Sequence, residues 1–326
     1  MKYLYHPLLL LLLLCLSCKG ANSGNNTPKE ETSVNIPCFN ADSALASIKR
    51  QCDFGPRTLG SVAHESCGQY IAQEFTRFGC TVTFQHATFT RYDGKSFPGY
   101  NIIACTQPDK ARRIMICAHW DSRPWADQDA NPANHHTPIP AANDGASGVG
   151  VMIELARILS QDTLSFGVDF VCFDAEDMGT PTWDDQGQDD SDTWCLGSQY
   201  WAHHPHNKHI SYAILLDMVG GQGATFYREG FSDQLARHIV DKVWKASREA
   251  GFSGFFNDNQ GGYITDDHLP INRIAHIPAI NIVPYCPDCN NAFGNTWHTT
   301  SDDVNHISKE TLHAVGQTLL QLIYTE

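Results

Sequence analysis

The sequence VDFVCFDAED, at residues 168–177, runs from an apolar segment directly into a cluster of carboxylates. Its first six residues form a short segment that is apolar except for Asp169 and rich in β-branched and aromatic side chains, which is typical of a buried β-strand. Adjacent carboxylates repel one another and gain stability from a cation. This stretch therefore predicts a central strand that ends at a charged site, although Glu176 and Asp177 could instead belong to a solvated loop.

Strand and helix patterns alternate on both sides of this segment. Apolar stretches predict strands near 81–88, 99–106, 114–117, 168–173, 213–216 and 279–283. Helical spacing and capping residues predict helices over 41–51, 62–78, 148–160, 197–204, 232–250 and 308–323. This alternation predicts a single α/β domain with a central, mostly parallel mixed β-sheet flanked by helices.

Candidate metal ligands follow the ends of successive predicted strands. Such sheets bind ligands beyond the carboxyl ends of their strands, so these residues are expected to meet. The candidates are His119, Asp121, Asp144, Asp174, Glu176, Asp177, Asp217 and His298.

Several candidates have a simpler interpretation when taken singly. Asp144 precedes a glycine-rich helix start and could only cap that helix. His119 and His298 are each weak indications of a metal site. Asp217 follows four apolar residues, which is an unfavourable place for an unpaired charge. The ordered set of these residues along the chain is stronger evidence for a metal site than any one of them.

The amino-terminal region predicts export. Lys2 and the leucine run 8–14 are typical of a signal peptide and too short for a membrane span. Residues 1–18 end in a lipoprotein-like sequence, so we expect lipidation at Cys18, with ordinary secretion as the alternative. Residues 19–36 are a polar tether, and 37–326 form the catalytic domain. The expected location is the periplasmic side of a bacterial cell envelope, with membrane attachment only through the lipid.

Charge and cysteine content limit the possible partners. The chain carries 36 acidic and 22 basic residues, a net charge of −14, which argues against nucleic-acid binding. Of its 12 cysteines, Cys286 and Cys289 predict a local disulfide or two free thiols. The acidic segment 184–192 is expected to be a solvated loop, with a calcium site as a weaker hypothesis.

From about Asp42 to its end, the sequence resembles the zinc aminopeptidase superfamily, which also contains the glutaminyl cyclases. Within that superfamily it is similar to the animal-type cyclases and their bacterial relatives. The stretches that carry the resemblance are AHWDSRP at 118–124, ANDGASG at 142–148, FDAED at 173–177, LDMVG at 216–220, TDDHLP at 265–270 and WHT at 297–299. The last two distinguish the cyclases from the peptidases best.

The resemblance implies roles for individual residues. Asp144, Asp177 and His298 would hold one zinc ion, and Glu176 would be the general acid/base. Asp217 and Asp266 would form a carboxyl network near it, and His119 and Asp121 would lie around the zinc or hold a second metal. The substrate pocket would be walled by Trp183, Ile264, Phe293 and Trp297. The family often has Glu-Glu where this chain has Glu176-Asp177, so the zinc or its loop must shift slightly.

The implied activity is a zinc-dependent glutaminyl-peptide cyclotransferase, an acyltransferase that converts amino-terminal glutamine to pyroglutamate and releases ammonia. Its partners would be peptides and exported proteins that begin with glutamine, and the enzyme is expected to be a monomer. One alternative is a two-zinc aminopeptidase, because all the ligand positions of that class are present. A second alternative is a non-catalytic peptide-binding protein of the envelope.

Overall fold

The computed structural model describes residues 35–289 and 291–326. The predicted signal peptide and most of the predicted tether therefore lie outside the described residues. Two residues assigned to the tether, Asn35 and Ile36, are described, and Ile36 packs against the main hydrophobic core. Residues 35–326 form one compact unit.

Seven α-helices and eight β-strands make up the described fold. In chain order they are α1 (Ala41–Asp53), α2 (Val62–Arg77), β1 (Thr81–Thr90), β2 (Ser96–Cys105), β3 (Arg113–His119), α3 (Ala146–Leu159), β4 (Gly167–Phe173), α4 (Leu196–His203), β5 (Ile210–Leu216), β6 (Phe226–Arg228), α5 (Gly230–Glu249), β7 (Phe256–Gln260), α6 (His268–Arg273), β8 (Ala279–Ile282) and α7 (Lys309–Thr325). Three short 3-10 helices lie at Pro132–Asn134, Ser191–Thr193 and Val304–His306.

The main sheet has six strands in the order β1-β2-β4-β3-β5-β8. Strands β4, β3, β5 and β8 are parallel, whereas β2 pairs antiparallel with both β1 and β4. The predicted mostly parallel mixed sheet is therefore confirmed. A separate parallel pair is formed by β6 and β7.

Alternating side chains of the central strands point to the two faces of the sheet. Ile114 and Ile116 of β3 join a large core with α1, α2, α3, α5 and α7, whereas Met115 and Cys117 join a smaller core with α4 and α6. Because both faces are covered, the central strands are almost uniformly apolar, which explains the strand patterns of the sequence.

The predicted helices and strands are all present, and most of their ends lie within about three residues of the prediction. Asn40 and Ser308 cap α1 and α7, as their side chains accept hydrogen bonds from backbone amides of the first turn. The sequence patterns missed α6, β6 and β7. Helix α6 has only six residues including Pro270, and β7 is the polar sequence FNDNQ, so neither has an apolar period. None of the described helices combines the length and apolarity that a membrane span requires.

Candidate metal centre and substrate pocket

Neighbouring parallel strands bring the predicted residues to one edge of the sheet. His119 ends β3, Glu176 and Asp177 follow β4, and Asp217 follows β5. These three strands are adjacent, so their carboxyl ends open on the same side. The side chains of His119, Glu176, Asp177 and Asp217 do meet there, whereas the predicted candidate Asp174 does not join them.

Two overlapping groups of side chains have the arrangement of a metal site. Asp144, Asp177 and His298 place one ligand atom each within 4.8 Å of the others, and so do His119, Asp144 and Asp217. Nε2 of His298 lies 3.3 Å from Oδ1 of Asp177 and 3.6 Å from Oδ2 of Asp144. Tetrahedral zinc with bonds of ~2.0 Å separates its ligand atoms by about 3.3 Å.

Unpaired polar atoms support the same interpretation. Oδ2 of Asp144 and Oδ2 of Asp177 are buried and have no hydrogen-bond partner among the described residues, and the same holds for Oδ1 of Asp217. Buried carboxylate oxygens without partners are costly, whereas a bound cation would satisfy them. The donor set of two carboxylates and one imidazole suits zinc.

Asp144 does not cap the following helix. The amino-terminal cap of α3 is Gly145, with φ +96°, and no described side chain makes a capping hydrogen bond there. A Cβ at Gly145 would lie 2.9 Å from Cε1 of His119, so glycine allows His119 to approach Asp144 closely. The backbone of Asp144 is held by Asp302, whose Oδ2 accepts a 3.0 Å hydrogen bond from the Asp144 amide.

A buried arginine lies beside the proposed ligand Asp177. Nη1 of Arg123 is 3.0 Å from Oδ1 of Asp177, and its other nitrogens donate to both oxygens of Asp127 at 2.7 Å. Oδ1 of Asp127 also lies 3.6 Å from Nδ1 of His298. The Asp127 carboxylate thus lies on the Nδ1 side of the ring, where carboxylates commonly support metal-binding histidines, although 3.6 Å is beyond hydrogen-bond distance.

Glu176 projects toward the same centre but belongs to neither metal group. Asp121 accepts hydrogen bonds from the backbone amides of Glu176 and Asp177, at 3.1 and 3.2 Å, which fixes this turn. Burial, together with the charges of Asp177 and Asp266, raises the pKa of Glu176 well above its usual range, although His119 opposes the shift. A cation between the proposed ligands would also oppose it.

Asp266 lies close to Glu176. One carboxylate oxygen of each residue and the sulfur of Cys195 lie within 4.8 Å of one another. Burial, then the charge of Asp217, raises the pKa of Asp266 to about 7. Its Oδ2 accepts a 2.6 Å hydrogen bond from Asn281. Asp217 contacts a different residue, His119: Oδ1 of Asp217 lies 3.3 Å from Nε2 of His119.

Asp174 turns away from this centre. Its carboxylate lies 2.8 Å from Nε2 of His64 and accepts a 2.8 Å hydrogen bond from the backbone amide of Tyr100. It also accepts from the amide of Ala175. Asp174 therefore ties α2 and β2 to the end of β4, and it is a structural residue despite its position at a strand end.

Left-handed backbone conformations concentrate around the centre. Seven described non-glycine residues have positive φ, and five of them flank or form the site: Ala141, Ala175, Cys195, Met218 and His298. Each conformation costs roughly 1 kcal/mol for an L-residue. Such strain is held by the surrounding structure and is typical of functional sites.

Aromatic rings cover the proposed zinc ligand His298. Trp297 stacks on it with ring centroids 3.8 Å apart, and Phe293 lies 4.9 Å from Trp297. The ring of Trp194 is parallel to that of His298 at 6.2 Å. Trp183 lies in a neighbouring aromatic group, 5.9 Å from Trp125 and 4.4 Å from His136.

Ile264 is partly buried, and its amide donates a 3.0 Å hydrogen bond to Oε1 of Glu229. The places of Trp183 and Ile264 in the pocket stay predictions.

Sequence reasoning missed five residues of the site, namely Arg123, Asp127, Trp194, Cys195 and Asp302. Arg123 and Asp127 are an arginine and an aspartate four residues apart after a strand end, which was a usable signal. The other three have no local pattern, because their importance depends on contacts with distant segments.

Two remaining expectations concern loops. Cys286 and Cys289 form a disulfide, so the first of the two alternatives is confirmed. In the acidic segment 184–192, Asp184 accepts a hydrogen bond from Tyr92 and Asp190 accepts one from Trp194. Within the described ranges, no residue of this segment belongs to a group with metal-site spacing.

Comparison with known proteins is consistent with this geometry. Residues 101–323 match Peptidase family M28. A glutaminyl cyclase of Bacteroides thetaiotaomicron, solved with N-acetylhistamine, is 49% identical with a TM-score of 0.87, over 90% of this chain and 100% of that one. A leucine aminopeptidase precursor from the same organism is 49% identical with a TM-score of 0.86, over 90% and 99%.

More distant relatives carry the same two activities in their names. Glutaminyl-peptide cyclotransferase of Bos taurus is 24% identical over 98% of this chain and 95% of its own length. Aminopeptidase YwaD of Bacillus subtilis is 28% identical over 69% of this chain, and the chain spans only 44% of that protein. Since the family match covers more than half of the sequence, the resemblance inferred from its motifs is confirmed, and the chain belongs to Peptidase family M28.

Proposed function

We propose that this protein is a glutaminyl-peptide cyclotransferase. The observation that carries the proposal is the stacking of Trp297 on His298, with Phe293 behind it, beside the carboxylates of the centre. In this proposal the rings form a narrow entrance to the metal ligands, which admits one side chain while the rest of a peptide stays outside. The similarity to a glutaminyl cyclase over 90% of the chain supports the same activity.

In the proposed reaction, the substrate supplies its own nucleophile. The α-amine of an amino-terminal glutamine attacks the carbon of its side-chain carboxamide, a C–N bond forms within the ring, and the bond to the amide nitrogen breaks. Because the reacting groups are already linked, the protein mainly has to hold them and move one proton. Glu176 accepts that proton from the amine and delivers it to the departing ammonia.

Asp144, Asp177 and His298 are the residues that would hold zinc. Their spacing and the unpaired oxygens of Asp144 and Asp177 fit a bound cation. The chemistry that zinc supplies in such a site is Lewis-acid polarisation of the carboxamide oxygen. The chain itself orients this set through Arg123 on Asp177 and Asp302 on the Asp144 backbone.

The proposal includes one zinc per chain, and the main alternative is a two-zinc aminopeptidase. A specific observation favours that alternative: His119, Asp144 and Asp217 form a second group that shares Asp144 with the first. The two activities differ in what they need, because a peptidase must activate a water molecule whereas a cyclase only has to exclude one. Metal analysis of the purified protein separates them. Two tightly held zinc ions, with release of leucine from Leu-initiated peptides, would overturn the cyclase proposal.

The decisive experiment supplies a Gln-initiated dipeptide and measures released ammonia. We expect ammonia from the wild-type protein and almost none from Glu176→Gln, which keeps the shape of the side chain but cannot accept the proton. Glu249→Gln is the matched control, because that side chain is 42% exposed on α5. Ammonia from neither wild type nor control would refute the activity, and undiminished ammonia from Glu176→Gln would refute the mechanism. Binding of the dipeptide without turnover would favour a non-catalytic binding protein.

A further inference from the structure

The carboxylate of the proposed general base has a single side-chain hydrogen-bond donor among the described residues. The thiol of Cys195 donates to Oε1 of Glu176 at 3.4 Å. Nδ1 of His119 lies 3.9 Å from Oε2, beyond hydrogen-bond distance. The orientation of the Glu176 carboxylate therefore depends on this thiol more than on any other described side chain.

Two backbone hydrogen bonds fix the thiol relative to Glu176. The amide of Cys195 donates to the carbonyl of Glu176 at 2.9 Å, and the amide of Leu196 donates to the carbonyl of Ala175 at 3.1 Å. These bonds join residues 175–176, which follow β4, to residues 195–196, where α4 begins. With the thiol contact, three hydrogen bonds connect the same two short segments.

The backbone of Cys195 is held in an unfavourable conformation. It has φ +57° and ψ +34° at the amino-terminal cap of α4, yet its side chain makes no capping hydrogen bond there. A residue that served only to begin the helix would be glycine, serine or asparagine. Here the left-handed conformation accompanies a buried side chain, 2% exposed, that points at Glu176.

We propose that Cys195 is a positioning residue that holds the Glu176 carboxylate in the orientation required for proton transfer. The inference rests on the proposed role of Glu176 as the base.

A thiol suits this position because it is a weak, neutral donor. It can orient one carboxylate oxygen while leaving the carboxylate able to accept a proton, which an arginine or lysine partner would hinder. Asp266 places an oxygen within 4.8 Å of both the thiol and Glu176, so a neutral donor adds no further charge beside two acidic groups. Burial raises the pKa of Cys195 well above its usual range, which keeps the thiol protonated as a donor.

The experiment compares three substitutions of Cys195 in the zinc-loaded protein. Cys195→Ala and Cys195→Gly remove the donor, and glycine also relieves the left-handed conformation, so that variant should fold even if alanine does not. Cys195→Ser keeps a donor of similar size. Cys172→Ala is the matched control, because it removes a fully buried thiol of β4 that makes no hydrogen bond to a carboxylate among the described residues.

We expect kcat for a Gln-initiated dipeptide to fall about tenfold in the alanine and glycine variants, the effect of losing one orienting hydrogen bond. KM and zinc content should not change, and serine should restore most of kcat. The inference would be overturned if Cys195→Ala and Cys195→Gly kept the wild-type kcat. It would also be overturned if Cys195→Ser lost as much kcat as Cys195→Ala. If the wild type releases no ammonia, the proposed function fails instead, and the same variants are then compared on a Leu-initiated peptide.

Discussion

Oδ2 of Asp302 accepts a 3.0 Å hydrogen bond from the backbone amide of Asp144, although 158 residues separate them. Oδ1 of the same carboxylate accepts from the amide of Asn143 at 2.8 Å. Asp302 follows His298 by four residues, so one loop supplies both a proposed ligand and the support of another. The geometry of the proposed metal centre therefore depends on a residue that does not touch the metal position.

Removing this support should weaken zinc binding. Asp302→Ala leaves two buried amides without acceptors and frees the Asp144 loop, and losses of this kind typically reduce metal affinity about 10- to 100-fold. Asp303→Ala is the control, because the neighbouring aspartate caps the 3-10 helix Val304–His306 and pairs with His306 instead of supporting Asp144. Competition with a chelator measures the affinity. Equal zinc affinity of the two variants would contradict the role given to Asp302.

Arg123 should be essential for stability. Arg123→Ala leaves Asp127 and Asp177 buried without their positive partner, and breaking a buried pair of this kind costs about 3–5 kcal/mol. Arg237→Ala removes an arginine that is 69% exposed from its pair with Asp233, so it should cost less than about 1 kcal/mol. Urea unfolding of the two variants tests the difference. If Arg123→Ala lowered the free energy of unfolding by less than about 1 kcal/mol, the charges of Asp127 and Asp177 would have to be compensated by other groups.

Stability at acidic pH should depend on Glu229. Burial alone would raise the pKa of Glu229. Contact with His268 and the hydrogen bonds donated by Ser232 and by the Ile264 amide lower this pKa to about 2. Because the folded-state pKa lies below the ordinary value of about 4.3, the stabilisation is present above that value. It is lost as pH falls from about 4 toward 2.

Glu229→Gln removes the ionisable group, so urea unfolding should show lower stability at pH 7, by about 1–3 kcal/mol. Its loss of stability below pH 4 should be shallower than that of the wild type. Glu249→Gln, on the exposed part of α5, should keep the wild-type dependence. Parallel acid dependences of wild type and Glu229→Gln would contradict the prediction.

The two tryptophans assigned to the pocket should contribute unequally. Trp297 stacks directly on His298, whereas Trp183 is 38% exposed and packs against Trp125 and His136. We expect Trp297→Ala to raise KM for a Gln-initiated dipeptide by at least about tenfold, and Trp183→Ala to raise it less. Steady-state kinetics on both variants gives the comparison. A larger effect at Trp183 would place the substrate in the outer aromatic group.

Activity should increase between neutral and mildly alkaline pH. The attacking α-amine of the substrate has a pKa of about 8 and must be deprotonated before it can attack. A profile of kcat/KM measured on a Gln-initiated dipeptide should rise toward that value. A profile that falls from pH 6 to 8 would show that another ionisation controls the reaction.

The amino-acid sequence by itself determined the fold class and the positions of most candidate ligands. Parallel strands buried on both faces are mostly apolar, so the strands near Phe170 and Leu215 were visible as apolar runs despite the buried Asp169, and a cluster of polar residues was expected only at their ends. Asp177 and Asp217 were therefore identifiable from their places after strands, and the family resemblance assigned their roles.

Only the tertiary structure decided which of those residues meet. Asp174 has the same sequence context as Glu176 but turns toward His64, while Cys195 and Asp302 reach the centre from distant segments. Such contacts depend on backbone turns, including the left-handed residues around the centre, and on packing between elements far apart in the chain. A local sequence pattern reports the period of one element at a time, so it cannot specify these contacts.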